Sequence, residues 1–179
     1  MKPKTTSRKE RIVKEALLLF AEKGYEEASS KLIAQQAGVS EALIFKHFGN
    51  KDNLMLHVVK SGYRRVLLAH KGMMRYPDAS TFLRSMIDLP LHLVNEDPLF
   101  WKMQERLAHH EIPKSQHELF MKPVRPILKR AFTELGYAQP EMETTLLLLV
   151  IDMLWKKEAT GELQHAQELV RLLQEKYQL

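Results

Sequence analysis

Cysteine is absent from this 179-residue sequence. The chain therefore has no disulfide framework, no thiolate zinc site and no cysteine nucleophile, which suits a reducing cytosol. Long apolar runs are missing as well. The longest, from Leu146 to Trp155, is interrupted by Asp152 and falls well short of the roughly 20 residues that a membrane span needs. The basic N-terminal segment has no apolar stretch behind it, so we expect no signal peptide. These absences predict a cytoplasmic protein that does not associate with membranes.

Glycine and proline are scarce, with 7 and 8 residues, and most of them lie at breaks between segments of helical periodicity. No segment sustains the alternation of apolar and polar residues that is typical of a strand. The sequence therefore predicts an all-α fold, with kinks or breaks where Pro90, Pro123 and Pro126 fall inside helical segments. The expected helices cover residues 7–23, 31–37, 41–47, 51–72, 79–95, 97–111, 115–135, 140–159 and 163–177.

Basic charge is concentrated in one part of the sequence, although the net charge of +5 is modest. Residues 1–72 contain 14 lysines and arginines against 7 acidic residues, whereas residues 73–179 contain 13 against 15. A basic segment on a near-neutral body is the charge distribution of a protein that binds phosphate. A basic, solvated surface without a partner has the same distribution, so charge alone leaves both interpretations open.

The stretch from Ser29 to Asn53 is the most informative part of the sequence. Two short helical segments are joined by the residues from Ala37 to Ser40. Gly38 lies where the chain must turn sharply, a position that favours a residue without a Cβ. We expect Ser30 to cap the first helix and Ser40 to cap the second. This arrangement is typical of a helix-turn-helix, whose second helix enters the major groove of DNA.

Between Ile12 and Leu54 the sequence resembles the DNA-binding domain of the TetR family of bacterial repressors. The residues that carry the resemblance are Ala16, Phe20, Gly24, Tyr25, Ile33, Ala34, Ala37, Gly38, Val39, Ser40, His47, Phe48, Lys51 and Leu54. The resemblance implies an N-terminal three-helix DNA-binding domain over residues 1–50. A helix over residues 51–72 then links this domain to a helical regulatory and dimerisation domain over residues 73–179.

Roles at the DNA follow from the same resemblance. The residues expected to contact DNA are Ser30, Lys31, Ser40, Glu41, Ala42, Leu43, Lys46, His47 and Lys51. The two serines, as helix N-caps, can present hydroxyl and backbone N–H groups to phosphates, and His47 and Lys51 contact phosphate by analogy with the family. The residues at the exposed start and face of the second helix come within reach of base edges, where Lys46 can read guanine.

Two positions depart from the family pattern. Ala42 stands where the family often has glycine, and Phe45 stands where it commonly has a tyrosine that donates to phosphate. The second difference removes one expected phosphate bond. Phe45 is then open to either interpretation, as a packing residue or as a residue in contact with DNA.

The last third of the sequence has more apolar residues than a small subunit needs for its core. Residues 146–155 are apolar apart from Asp152, so this helix must be covered on more than one side. A second apolar stripe is formed by Ala166, Leu169, Val170, Leu173 and Tyr177. We expect a homodimer through about residues 141–177, as the family resemblance also implies. A central helix in a monomer is the alternative.

A ligand pocket in the C-terminal domain is implied by the resemblance and favoured by its methionine and aromatic content. Methionine is adaptable and fills irregular apolar space. The candidate ligand-binding residues are Met73, Phe100, Trp101, Met103, Phe120 and Met121. Ordinary core packing is the alternative for each of them.

Catalytic and metal sites have no support in the sequence. His92, His109, His110 and His117 lack a familiar chelating spacing. No nucleophile turn, phosphate loop or dinucleotide fingerprint accompanies the serines and histidines. We expect no metal, no cofactor and no enzymatic activity.

The leading functional hypothesis is a transcriptional repressor. It would bind a palindromic operator in double-stranded DNA and be released by a small apolar or amphipathic ligand. The alternative, motivated by Ala42 and Phe45, is a ligand-binding or scaffold protein whose helix-turn-helix no longer reads DNA. Lys46, His47 and Lys51, within a basic segment, favour the repressor.

Overall fold

The computed structural model describes residues 7–72 and 74–179, and the regular elements within them are all α-helices. The helices are α1 (Arg8–Glu27), α2 (Ser30–Ala37), α3 (Glu41–Phe48), α4 (Lys51–Ala69), α5 (Ala79–Glu96), α6 (Pro98–Arg106), α7 (Glu111–Met121), α8 (Val124–Glu134), α9 (Pro140–Thr160) and α10 (Ala166–Lys176). The all-α prediction is therefore confirmed. The predicted limits of α2, α3, α5 and α9 agree with the structure to within one residue.

Five predicted helices have other limits. The helix expected over residues 51–72 ends at Ala69, and the one expected over residues 163–177 begins at Ala166 and ends at Lys176. Helix α1 extends to Glu27, but Gly24, with φ of 80° and ψ of −177°, is non-helical and breaks it where the sequence predicts an end. The helix expected over residues 97–111 ends at Arg106. His110 is extended and caps α7, and a continuous helix there would bring the ring of Pro113 against the carbonyl group four residues earlier. The helix expected over residues 115–135 is two helices, because Pro123 lacks the N–H group that would continue the ladder.

The first hydrophobic core is formed by α1–α4 together with α6. Phe20, Ile44, Met55 and Phe100 are buried in it, so the four N-terminal helices and part of the C-terminal body share one core. Helix α1 packs along α6 in the most extensive contact between two elements of the described chain. A displacement of α6 would therefore be transmitted directly to α1.

The second hydrophobic core is formed by α5, α8, α9 and α10. Phe82, Ile87, Leu128, Phe132 and Leu147 are buried there. Pro90 remains inside α5, and Pro126 lies in the first turn of α8, where a helix needs no N–H donor. The two cores meet near Leu89, which packs against both.

Candidate DNA-binding surface and ligand cavity

The turn between α2 and α3 has the geometry that the sequence predicts. Gly38 is left-handed, with φ of 62°, and ends α2. The N–H group of Val39 donates to the carbonyl oxygen of Ala34 at 3.0 Å, which closes the turn. A Cβ at Gly38 would have space, since its nearest neighbour would be Arg11 Nη1 at 3.6 Å. Backbone conformation, not crowding, is thus the reason for glycine at this position.

The cap of α2 is Ser29 rather than Ser30. Ser29 is extended and its Oγ accepts a hydrogen bond from the N–H group of Leu32 at 3.1 Å, whereas Ser30 is the first helical residue. The expectation that Ser30 is the N-cap is therefore wrong. Helix α2 begins at Ser30, so the cap is the residue before it, Ser29. Ser40 is the N-cap of α3, but its side chain makes no capping hydrogen bond.

Helix α3 is buried along one face and exposed along the other. Ile44 and Phe48 are buried in the first core, as expected for core residues. The exposed face carries Ala42, Phe45, Lys46 and His47. Phe45 is 45% exposed, so packing within the subunit covers only about half of it. Lys31 and Ser40 are also exposed, whereas Ser30, Glu41, Leu43 and Lys51 are half-buried.

Lys51 contacts the end of α1 within the subunit. Its Nζ donates to the carbonyl oxygen of Tyr25 at 2.9 Å and lies 3.8 Å from the centre of the Tyr25 ring. The hydroxyl group of Tyr25 donates to the carboxylate of Asp52. Burial, followed by that carboxylate, raises the pKa of Tyr25 to about 12, so the phenol remains a neutral donor. These contacts fix the start of α4 against the last turn of α1.

Sequence reasoning missed two groups near this surface. Lys9 and Arg11 of α1 are close to the helix-turn-helix: Lys9 Nζ is 5.5 Å from the centre of the Phe48 ring, and Arg11 reaches Gly38. The second group is His110, whose ring lies 4.5 Å from that of Tyr25. The basic start of the chain was a signal for the two cations. No sequence signal connects Tyr25 with a histidine so far along the chain.

An apolar cavity of about 70 Å³ lies between α5, α6, α7 and α9 and near the end of α4. Three of the candidate ligand-binding residues line it: Trp101, Phe120 and Met121. Phe100 and Met103 do not line it and are fully buried in the first core. Phe100 packs against Gly62 of α4, so this cavity does not include these two candidate ligand contacts. Met73 lies outside the described residues.

A polar cluster lies beside this cavity. The hydroxyl group of Tyr63 is 3.0 Å from Nδ1 of His117 and accepts a hydrogen bond from the amide of Gln104. His117 Nε2 faces Asp152 at 3.9 Å. Burial lowers the pKa of His117 and raises that of Tyr63, so both side chains are uncharged at neutral pH. The cluster joins α4, α6, α7 and α9 at one point.

A polar cleft adjoins the cavity. His117 and Trp155 line both spaces, so these two side chains form the wall between them. The cleft is also lined by Gln104, Lys114 and Lys156. A molecule too large for the cavity could therefore extend past this wall into a more polar environment.

Helices α9 and α10 present an apolar face that nothing in the described chain covers. Leu149 is 62% exposed and Leu172 59%, while Leu147 and Leu154 on the opposite side of α9 are buried. The exposed members of this face are Leu146, Leu149, Met153, Leu169 and Leu172. Between them runs a shallow groove along the contact of the two helices.

Within the described part of the chain, no helix has both the length and the apolar character needed to cross a membrane. Among the same residues, no three histidine, aspartate or glutamate side chains converge as metal ligands would.

The chain is similar in sequence to bacterial DNA-binding regulators. Residues 12–58 match the family described as bacterial regulatory proteins, tetR family. The HTH-type transcriptional repressor AcnR of Corynebacterium glutamicum is 28% identical over 106 residues, which cover 54% of this chain and 56% of that repressor. The match therefore spans little more than half the length of this curated relative.

Solved structures share the fold over nearly the whole chain. A TetR-like transcriptional regulator from Rhodococcus sp. RHA1 superposes with a TM-score of 0.80 at 17% identity, covering 97% of this chain and 94% of that one. The regulator FadR from Bacillus subtilis, in complex with stearoyl-CoA, has a TM-score of 0.70 at 18% identity, covering 93% and 96%. At such identities the likeness concerns the fold alone.

Proposed function

We propose that this chain, which matches the tetR family of bacterial regulatory proteins over residues 12–58, is a repressor whose homodimer binds a palindromic operator and is released by a small apolar or amphipathic ligand. The observation that carries the proposal is the exposed face of α3, with Ala42, Lys46 and His47, on a helix-turn-helix whose turn and core are intact.

Phosphate contacts would position the protein on the duplex. Ser40 makes no capping bond, so its hydroxyl group and the free N–H groups of the first turn of α3 are available to a phosphate. His47 and Lys31 are exposed and can reach neighbouring phosphates. Lys51 uses one of its three N–H groups on Tyr25 and keeps two for DNA. Ser30, which is half-buried, would add a weaker contact.

Base contacts would come from the exposed start and face of α3. Lys46 is exposed and suits the acceptors of guanine, Glu41 suits the amino group of cytosine, and Ala42 suits the methyl group of thymine. Leu43 packs partly against the first core and offers only a part of its side chain. Phe45 replaces a phosphate donor with an exposed apolar ring, which favours contact with sugars or thymine methyl groups.

Dimerisation through α9 and α10 supports this function geometrically. Two subunits that share the apolar face of Leu149 and Leu172 would bury side chains that are otherwise solvated. A two-fold dimer carries two recognition helices and requires half-sites about one helical turn (~34 Å) apart, or a multiple of it. The operator would therefore be a palindrome.

Ligand binding would act by enlarging the cavity. Its volume of about 70 Å³ is less than half of the roughly 150 Å³ of an apolar cavity that binds benzene. Met74, Met86 and Met121 in its wall can change rotamers to admit a larger molecule. Helix α7 would move with Met121, and His110 at its N-terminus contacts Tyr25 of the DNA-binding domain. By linkage, operator DNA would weaken ligand binding by the factor by which ligand weakens DNA binding.

The second candidate function is a ligand-binding or scaffold protein that does not read DNA. The observation in its favour is that Lys51 is already bound to Tyr25 while Phe45 cannot donate to phosphate. A gel shift with DNA from upstream of the encoding gene separates the two functions. The repressor shifts this DNA in preference to a scrambled duplex of equal length. An equal shift of both duplexes at every salt concentration would favour the scaffold.

A further inference from the structure

We propose that the ligand is an uncharged apolar molecule carrying one group that both donates and accepts a hydrogen bond, such as a hydroxyl or a primary amide. Trp101 and Gln104 of α6 would bind that group. This inference rests on the proposed function, because it specifies the ligand of the same cavity.

Two buried polar atoms in this region have no hydrogen-bond partner within the described chain. They are the indole Nε1 of Trp101, whose side chain is 2% exposed, and Oε1 of Gln104, whose side chain is 3% exposed. An unsatisfied buried polar group destabilises the folded state, so native proteins rarely retain one without a reason. The two residues are three apart on α6 and therefore lie on the same side of the helix.

The free atom of Gln104 is its oxygen, as the hydrogen bonds of the neighbouring cluster require. Burial favours neutral His117, and the carboxylate of Asp152, 3.9 Å from Nε2, favours the tautomer with the proton on Nε2 and an acceptor at Nδ1. Tyr63 therefore donates to Nδ1, and its oxygen accepts from the amide nitrogen of Gln104. Nε1 of Trp101 still lacks an acceptor, and Oε1 of Gln104 still lacks a donor.

The two residues that carry the free atoms line adjoining spaces. Trp101 lines the apolar cavity, Gln104 lines the polar cleft, and His117 and Trp155 line both. A ligand whose apolar part occupies the cavity and whose polar group points to the cleft would pass both residues of α6. A hydroxyl group offers Trp101 a lone pair and Gln104 a proton at once.

A charged ligand fits this environment less well. A carboxylate would meet the oxygen of Gln104, and an alkylammonium without N–H groups would offer nothing to Trp101. The two lysines of the cleft face carboxylates: Lys156 is paired with Asp152 at 2.6 Å, and Glu118 lines the cleft together with Lys114. The cavity wall is otherwise apolar, and burying an ion against it would be costly.

The test uses four probes with one octyl chain: octan-1-ol, octyl methyl ether, octanoate and octyltrimethylammonium. The chain has two tryptophans, Trp101 and Trp155, and both line the cavity, so intrinsic fluorescence reports binding directly. The alcohol should bind most tightly, and the ether, which accepts but cannot donate, roughly tenfold more weakly. The two ions should bind more weakly than the ether.

Substitutions test whether Nε1 of Trp101 and Oε1 of Gln104 cause the preference for the alcohol. Gln104→Met removes the acceptor, so the alcohol should bind no more tightly than the ether. Trp101→Phe keeps an aromatic ring but removes the donor, so alcohol and ether should weaken together, by roughly tenfold. Trp155→Phe is the matched control, because its indole N–H already donates to Asp152 at 3.2 Å. The control should keep the order of the four probes.

The outcomes separate this inference from the proposed function. Tightest binding by octanoate or by the ammonium would overturn the ligand class, while release of operator DNA by that ion would leave the regulatory function standing. An alcohol preference that persists in Gln104→Met would also overturn the inference. Failure of all four probes to bind would overturn both the ligand class and ligand control, whereas gel shifts would still test DNA binding. The probe order in the unsubstituted protein tests the proposal even if one variant folds poorly.

Discussion

Gly62 of α4 lies directly against the ring of Phe100 in α6, so closely that a Cβ at position 62 would overlap three carbon atoms of that ring. The phenyl ring is fully buried and forms an edge-to-face contact with Tyr63, so it has no free space to move into. This contact joins the helix that follows the DNA-binding domain to the helix that carries Trp101 and Gln104. The spacing of α4 and α6 is thus set by the absence of a side chain.

Gly62→Ala should destabilise the protein even though alanine is the better helix former. Helix propensity favours alanine by about 1 kcal/mol, but overpacking a filled core typically costs about 1–3 kcal/mol, and here the overlap is with a ring. We expect a lower urea midpoint of unfolding. Gly72→Ala is the control, since its Cβ would lie 3.7 Å from a flexible arginine side chain. A midpoint for Gly62→Ala equal to that of the control would refute the contact.

Lys46→Ala tests whether Lys46 contacts a base, which carries sequence information, or only a phosphate, which does not. Because Lys46 is exposed and lies on α3, its loss should leave stability unchanged and cost about 1–3 kcal/mol on the operator, with a smaller loss on random DNA. Fluorescence anisotropy with both duplexes at several salt concentrations measures the ratio of affinities. An unchanged ratio would show that Lys46 is not a base reader.

Lys51→Ala should weaken binding to operator and to random DNA alike. It should also reduce the slope of log affinity against log salt concentration by about one unit, because one phosphate contact is lost. It should also lower stability, since Lys51 Nζ binds the carbonyl oxygen and ring of Tyr25. The same anisotropy series and a thermal melt measure the two effects. A full salt slope together with reduced stability would mean that Lys51 is purely structural.

Leu149→Glu or Leu172→Glu should convert a dimer into monomers. Both leucines lie on the exposed apolar face of α9 and α10, and a buried carboxylate without a partner would oppose association. Leu68→Glu on α4 is the matched control, because Leu68 is 57% exposed, close to the 59% of Leu172. Sedimentation velocity at micromolar concentration distinguishes the species. A monomeric unsubstituted protein, or dimers in all three variants, would contradict the interface.

Stability should fall between pH 7.5 and pH 5.5. Burial lowers the pKa of His117, and burial together with Lys9 and Arg64 lowers that of His57. Below the usual histidine pKa of about 6.5 the unfolded chain binds protons that the folded chain does not, so acid favours unfolding. His117→Asn keeps an acceptor for Tyr63 and should flatten the dependence of the urea midpoint on pH. His109→Asn, at an exposed position, should retain the slope of the unsubstituted protein.

The helix-turn-helix was predictable because its signals are local. Gly38 must be left-handed at the turn, and the apolar spacing of Ile44 and Phe48 defines the buried face of α3. The choice between Ser29 and Ser30 as a cap was not predictable, since both serines are suitable and tertiary packing fixes the helix start.

The ligand cavity was predictable only in part. Phe100, Trp101 and Met103 are all apolar and nearly adjacent, so sequence indicates that α6 is buried but not which helix each side chain meets. Phe100 packs against Gly62 of α4 and Met103 is buried in the first core, while Trp101 lines the cavity. The contact of Tyr25 with His110 joins residues far apart in the chain, and no periodic pattern encodes it.

Selection of binding sites from a random-sequence DNA library tests most directly whether the protein reads DNA as a dimer. We expect an enriched palindrome with half-sites about one helical turn (~34 Å) apart, bound far more tightly than random duplexes, with lower selectivity in Lys46→Ala. An absence of enriched sequence, or equal affinity for enriched and random duplexes at every salt concentration, would contradict it.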